Sequence, residues 1–171
     1  TGFDYSIGNA AKVSIEGFVK RYANFPISLI DGVSLANKGA DFEVLGNEAV
    51  LTNGDGRTKG VEFLFQQKLT RNFYGIFSYT FFKSEFTDIN GNYLPSVWDS
   101  KHLSSFSGGY KLKRNWEISS RWRFAGKTPY VPYDLEASLN NYPNMVLDYS
   151  QLGNLKLGNF SQLDIRFDKK W

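Results

Sequence analysis

Few side chains in this sequence are of the types that carry out catalysis. His102 is the single histidine among 171 residues, and the chain has no cysteine. This excludes a thiolate metal site and a histidine-rich metal site. It also excludes a Ser-His-Asp triad, other than one formed by chance around His102. The simplest interpretation of His102 is a polar residue at the start of a strand. The sequence thus predicts no enzyme, no metal site and no cofactor.

The carboxylates that come closest to an acid-base pair are Asp164 and Asp168. They alternate with Arg166 and Lys170 along one segment, so charge balance on a solvated wall is the simpler interpretation. The sequence NGDG at residues 53–56 lacks the spaced acidic ligands and the terminal glutamate of a calcium loop, and it is not followed by a phosphate-loop pattern. We interpret it as a turn.

Alternation of apolar and polar residues is the pattern that positions these charges. It is clearest in residues 116–124 and 163–171, and a period of two predicts β-strands. One face is apolar and we expect four of its side chains to be exposed: Trp116, Trp122, Phe124 and Phe167. The opposite face is charged, and we predict that it lines a water-filled lumen: Glu117, Arg121, Arg123, Asp164, Arg166 and Asp168.

Connection lengths alternate along the chain. Short polar turns are predicted at 70–72 and 113–115, and long connections at 24–59, 88–100 and 127–160. About seven strands result, several of them long enough to span a bilayer. The predicted fold is all-β, an incomplete segment of a transmembrane antiparallel barrel with turns at one end and loops at the other. The segment 73–86 carries aromatic residues on both faces, so its lipid side stays unassigned.

Composition fits this fold and narrows the function. Aromatic residues make up 17% of the chain, and they favour strands. Mean hydropathy is −0.37, with no apolar run long enough for a transmembrane helix, but barrel strands need only alternate apolar residues. The net charge of +3 is scattered, so we predict no nucleic-acid partner. A soluble β-sandwich used for binding or adhesion stays open as an alternative.

Five short segments together resemble a known family. They are GVEF at 60–63, QKLT at 67–70, FYGIFSYT at 73–80, PSVWDSKH at 95–102 and RFAGKTPY at 123–130. In order and spacing they resemble the C-terminal part of TonB-dependent outer-membrane receptors, most of all the Bacteroidota-type members. The resemblance implies a bacterial outer-membrane barrel of about 22 strands, closed by an N-terminal plug and energised by TonB.

This resemblance also sets expectations for the function. Residues 1–171 would form part of one barrel domain, with the plug and the terminal barrel strands outside this chain, and the isolated segment would not fold alone. The partners would be outer-membrane lipid, the TonB energising complex reached through the missing N-terminal part, and an imported metal chelate or glycan. A passive porin-type channel is the alternative. Aromatic residues on the predicted outer loops are candidates for ligand binding: Trp98, Tyr130, Tyr133, Tyr142 and Tyr149.

Overall fold

The structure, a computed structural model, describes residues 1–38 and 47–171. Strands make up most of its regular secondary structure. In chain order the elements are β1 (Gly2–Ile7), β2 (Ala11–Ser28), α1 (Leu35–Lys38), β3 (Val50–Thr70), β4 (Phe73–Thr87), β5 (Tyr93–Pro95), β6 (His102–Lys111), β7 (Trp116–Ala125), β8 (Pro129–Tyr130), α2 (Leu135–Asn140), a 3-10 helix (Tyr149–Gln151), β9 (Leu155–Lys156) and β10 (Phe160–Lys169). No helix in the described ranges is long and apolar enough to cross a membrane.

Seven strands form one antiparallel sheet in the order β1-β2-β3-β4-β6-β7-β10, and β5 adds to the end of β4. In the described residues β1 and β10 are the two edges and do not pair with each other. The short β8 and β9 pair separately within the last long connection. A single sheet without a second sheet packed on its face rules out the β-sandwich alternative for the described residues.

The tight turns all lie at one end of the sheet, as predicted. Across the ends of neighbouring hairpins, Lys68 N donates to Ala10 O at 2.8 Å, Lys111 N to Asn72 O at 2.8 Å, and Lys170 N to Asn115 O at 3.0 Å. These bonds can form only if the three turns stand side by side. Several turn residues adopt left-handed backbone angles: Gly8, Arg71, Arg114 and Asn115.

The predicted connection at 24–59 is wrong over much of its length. β2 continues to Ser28 and β3 begins at Val50, and residues 53–56 lie inside β3 rather than in a turn. The glycines there are set by close packing, because a β-carbon on Gly54 would lie 2.7 Å from Phe25 O, and one on Gly56 would lie 2.4 Å from the Phe86 ring. Residues 39–46 of the predicted connection lie outside the described residues.

The pairing register assigns every strand to two faces, because residues directly opposite in antiparallel strands point to the same side. One row crosses all seven strands and is apolar throughout: Leu163, Trp122, Phe106, Phe77, Phe65, Val13 and Tyr5. We call this side the aromatic face and the other side the polar face. The ambiguous strand is thereby resolved, with Phe77, Tyr79 and Phe81 on the aromatic face.

Of the four side chains predicted to be exposed, two are exposed and two are half-buried. Trp116 and Phe167 are 44% and 65% exposed, as expected. Trp122 and Phe124 cover each other, with stacked rings 6.0 Å apart, and Trp122 Nε1 donates to Ser161 Oγ at 3.2 Å. The aromatic face therefore shields part of its own surface.

Buried apolar side chains collect at the loop end of the sheet. In the described residues they are Ile27, Val33, Ala36, Phe82, Phe86 and Leu152. We call the region around them the cap; it comprises the loop ends of β2, β3 and β4 with the described parts of the three long connections. We call the rest of the sheet, from the tight turns to the level of Phe81, the wall.

Candidate functional site

The six charged residues predicted to line a lumen share the polar face of β7 and β10. Arg121 stands directly opposite Asp164, and Glu117 opposite Asp168. Arg166 donates from Nε and Nη2 to Asp168 Oδ1 at 2.9 and 2.7 Å. Arg123 Nη2 donates to Gln162 Oε1 at 2.7 Å. The register thus brings all six together on one side, with charges of both signs interleaved.

A groove of about 560 Å³ runs along this polar face. Its lining comes from β3, β4, β6, β7 and β10 and includes Gln66, Tyr74, Ser107, Arg121, Asp164 and Arg166. At one end of it the Tyr74 hydroxyl donates to Glu117 Oε1 at 2.5 Å, across the intervening β6. Gly109 makes this reach possible, since a β-carbon there would lie 2.5 Å from the Tyr74 hydroxyl. The groove offers polar hydrogen-bonding groups but no enclosed reaction site.

Trp98 stands above the polar face at the loop end. Its indole Nε1 donates to Ser84 Oγ at 3.1 Å, and its ring meets the edge of Phe86 with centroids 5.9 Å apart. Phe86 also packs against Tyr22 and Phe25, at 5.4 and 4.5 Å between ring centroids. Trp98 remains 48% exposed, so it is an oriented ring with a free side. We call these four rings the mouth cluster.

The four candidate tyrosines lie in the connection between β7 and β10, in different settings. Tyr130 pairs with Leu155 between β8 and β9, and Tyr133 forms a bridge with Leu147. Tyr142 is 85% exposed. Tyr149 begins the 3-10 helix and lies under the Lys38 ammonium group, 6.0 Å from its ring centroid. The structure therefore ties Tyr149 to the cap, and leaves Tyr142 fully open to solvent.

A partly buried ion network holds the cap together. Lys38 Nζ lies 2.5 Å from Asp31 Oδ2 and 2.6 Å from Glu48 Oε1, and the Ser28 hydroxyl also donates to Glu48. Burial opposes the charge on Lys38, but its hydrogen bonds to Asp31 and Glu48 outweigh this and raise its pKa. Burial likewise opposes the charge on Glu48, and the bonds from Lys38 and Ser28 prevail and lower its pKa.

Asp99, a buried carboxylate of the cap, behaves differently from Glu48. It is 2% exposed, and its Oδ1 accepts a hydrogen bond of 2.8 Å from Ser84 N. Burial raises the pKa of Asp99, and the single backbone donor offsets this only in part. Its bond to β4 links the segment that carries Trp98 to the sheet.

A comparison of the sequence with models of known protein families identifies the family of this chain. The whole chain, residues 1–171, matches the family described as TonB dependent receptor-like, beta-barrel. The chain belongs to this family. Receptors of this family are β-barrels of the bacterial outer membrane, so the sheet described above is part of a transmembrane barrel wall.

Solved structures with a similar fold are themselves such receptors. One is the ferripyoverdine receptor of the outer membrane of Pseudomonas aeruginosa bound to ferripyoverdine, with a TM-score of 0.62 at 16% sequence identity. Another is the FpvAI-pyocin S2 complex, with a TM-score of 0.61 at 16% identity. Each alignment covers 97% of this chain and 20% of the other, so this TonB-dependent receptor chain spans about a fifth of their length. No curated protein matches the sequence.

In the described residues no group of three or more His, Cys, Asp or Glu side chains is arranged to hold a metal ion. His102 lies on the aromatic face and its Nδ1 is 2.8 Å from the Tyr79 hydroxyl, so it belongs to the wall. Sequence reasoning missed Tyr22, Phe25 and Phe86 of the mouth cluster. The alternate spacing of Phe82, Ser84 and Phe86 along β4 was the sequence signal that could have indicated this cluster.

Proposed function

We propose that this chain forms part of the wall and the outer mouth of an active importer in the outer membrane. The match of residues 1–171 to the TonB-dependent receptor family carries the proposal. The two-faced sheet supports it, because an apolar outside suits lipid and a charged inside suits a water-filled passage. In this proposal the six charged residues of β7 and β10 face the lumen.

In the complete protein, residues 1–171 would be part of one barrel domain. The chain covers 20% of the ferripyoverdine receptor chain, which leaves room for the remaining strands and for an N-terminal plug. The TonB energising complex would act through that plug, and the surrounding partner would be outer-membrane lipid. The cargo would be a scarce ligand such as a metal chelate or a glycan.

Trp98 is the residue that we expect to contact the cargo first. Its ring is held by Ser84 and Phe86 and exposes its remaining surface over the polar face. A pre-oriented aromatic ring stacks on a sugar or on a planar chelate at little entropic cost. Four further aromatic side chains of the long connection would widen this contact: Tyr130, Tyr133, Tyr142 and Tyr149.

Energy dependence separates the importer from a passive porin. A strain lacking the gene of the full receptor, and the same strain carrying it, are grown with single ligands from a panel of ferric siderophores, haem, corrinoids and oligosaccharides. We expect growth on one ligand class to require both the receptor and TonB. Growth that requires the receptor but not TonB would identify a porin and contradict the proposal.

The Trp98→Ala variant of the full receptor tests the mouth. Losing one stacking ring should weaken binding of the ligand found in the growth panel about tenfold. Leu139→Ala is the control, because Leu139 is 78% exposed on α2 of the same outer loops. Equal affinities of wild type and Trp98→Ala would show that Trp98 does not contact the cargo.

A further inference from the structure

Four cationic side chains interrupt the aromatic face in two successive rows near the loop end. Arg21 stands directly opposite Arg57 across β2 and β3, and Lys59 stands directly opposite Lys83 across β3 and β4. Like charges placed opposite each other in a sheet repel and destabilise it. We call these four residues the outer cationic cluster, and their arrangement calls for an anion that neutralises it.

The chain itself supplies only part of that negative charge. Glu85 binds Arg57 Nη2 at 2.9 Å and Lys83 Nζ at 2.6 Å, and the Arg57 guanidinium also lies 4.0 Å above the centre of the Tyr93 ring. Asp55 follows on the same side of β3. In the described residues no carboxylate forms an ion pair with Arg21 or Lys59. The cluster therefore keeps a net positive charge.

The cluster lies directly at the border of the apolar surface. Two residues toward the tight turns from Arg21, Lys59 and Lys83 are the exposed apolar side chains Val19, Val61 and Phe81, which are 70%, 49% and 47% exposed. β3 and β4 thus change from apolar to cationic at the same row, and β2 changes two residues further toward the loops, because Val19 stands opposite Lys59. Below this border the aromatic face of these three strands carries no charged residue until the turns.

We propose that the outer cationic cluster binds the phosphorylated headgroup of a lipid in the leaflet that faces the loops. The acyl chains would pack along Val19, Val61 and Phe81 while the phosphate is neutralised by Arg21 and Lys59, which the ion pairs with Glu85 leave available. An amphipathic ligand is favoured over a free anion because the cluster and the apolar surface are contiguous. Arginine and lysine near a membrane surface each add measurably to the binding of anionic lipid.

Arg21 and Lys59 are the residues to change, because neither anchors Glu85. The full receptor is purified in detergent as wild type and as the Arg21→Gln/Lys59→Gln double variant. Bound lipid is counted by native mass spectrometry against three probes: lipid A carrying its phosphates, the same lipid after enzymatic dephosphorylation, and inorganic phosphate. We expect wild type to retain the phosphorylated lipid and the double variant to bind it about 30-fold more weakly.

Two controls make the outcome specific. Lys20→Gln removes a cation from the neighbouring position on the polar face, and it should leave lipid binding unchanged. The Arg21→Lys/Lys59→Arg variant keeps the charge, so it should retain the lipid and show that a folded barrel tolerates changes at these positions. Equal binding of dephosphorylated lipid, equal loss in Lys20→Gln, or displacement of the lipid by millimolar inorganic phosphate would each overturn the proposal.

Discussion

The wall and the cap share strands β2, β3 and β4 but are stabilised in different ways. In the wall, backbone ladders join long strands, and large side chains such as Leu163 and Ile165 remain 60% and 58% exposed. In the cap, β4 buries Phe82 and Phe86, and the cap also contains the Lys38–Glu48 ion pair and the buried hydroxyl groups of Ser28 and Ser84. The wall depends on lipid to cover its apolar side, whereas the cap carries its own core. If the wall and the cap are separate units, a substitution in one region should leave the other region folded.

The largest effect should come from Phe86→Ala. This ring is 2% exposed and touches Tyr22, Phe25 and Trp98, so its loss should destabilise the cap by about 3–5 kcal/mol. Proteolysis of the outer loops in the detergent-solubilised receptor should become faster while the barrel still migrates as a folded species on unheated gels. Phe77→Ala on the aromatic face is the control. Simultaneous loss of the folded barrel band would show that wall and cap unfold as one unit.

A charge placed on the wall should have the next largest effect. Ile165→Arg puts a guanidinium on the aromatic face, where mid-membrane arginine costs about 2–4 kcal/mol. Thr80→Arg puts the same group on the polar face, directly opposite Glu62, and should be tolerated. The measurement is the free energy of folding into lipid vesicles by urea titration. If Ile165→Arg folds as well as Thr80→Arg, the assignment of the two faces fails.

The ion network of the cap should give a pH-dependent loss of about 2 kcal/mol in Lys38→Met. The variant leaves Asp31 and Glu48 without their shared cation. Because the pKa of Glu48 is lowered in the folded state, its contribution is present above its ordinary value of 4.5 and is lost as pH falls through the lower folded value. Since the pKa of Lys38 is raised, its contribution is lost only above its ordinary value of 10.5.

The measurement is protease resistance of the outer loops as a function of pH. In wild type we expect resistance to fall in acid below pH 4.5 and Lys38→Met to abolish most of this dependence. Lys20→Met, a lysine of the polar face outside this network, is the control. An unchanged acid transition in Lys38→Met would mean that other carboxylates govern cap stability.

The smallest effect should come from Asp99→Asn. The pH dependence of the Asp99 contribution to stability is opposite to that of Glu48. The raised pKa of Asp99 means that its contribution to stability is present below its ordinary value of 3.8 and declines as pH rises through the folded value. An asparagine oxygen still accepts the hydrogen bond from Ser84 N without the cost of a buried charge. At neutral pH we expect the variant to match wild type or exceed it by up to about 1 kcal/mol. Faster loop proteolysis at pH 7 would contradict this.

The wall was largely predictable from sequence because its strands and turns are determined by residues that are neighbours in the chain. A period of two and a polar turn are both read from neighbouring residues, and β7, β10 and the turns at 70–72 and 113–115 followed from them. The six charged residues of β7 and β10 fall on one face for the same reason. Whether that face lines a closed lumen stays a prediction.

The cap was not predictable because its contacts are distant in sequence. Gly54 and Gly56 look like turn residues, and only the approach of Phe25 and Phe86 explains them as strand residues. β4 carries aromatic residues on both faces because its two ends lie in different surroundings. Phe77 lies on the aromatic face of the wall, and Phe86 is buried in the cap. Similarly, nothing in the spacing of Asp31, Lys38 and Glu48 shows that they converge.

The length of β3 has a consequence for where recognition takes place. It has 21 residues, and a tilted strand crosses the hydrocarbon in roughly 9 to 11. At about 3.3 Å per residue, the surplus lifts the end of the β2–β3 hairpin on the order of 20 Å above the lipid. The loop end of this hairpin therefore lies well outside the hydrocarbon, so the side chains of the cap work in water although they belong to strands that also cross the membrane.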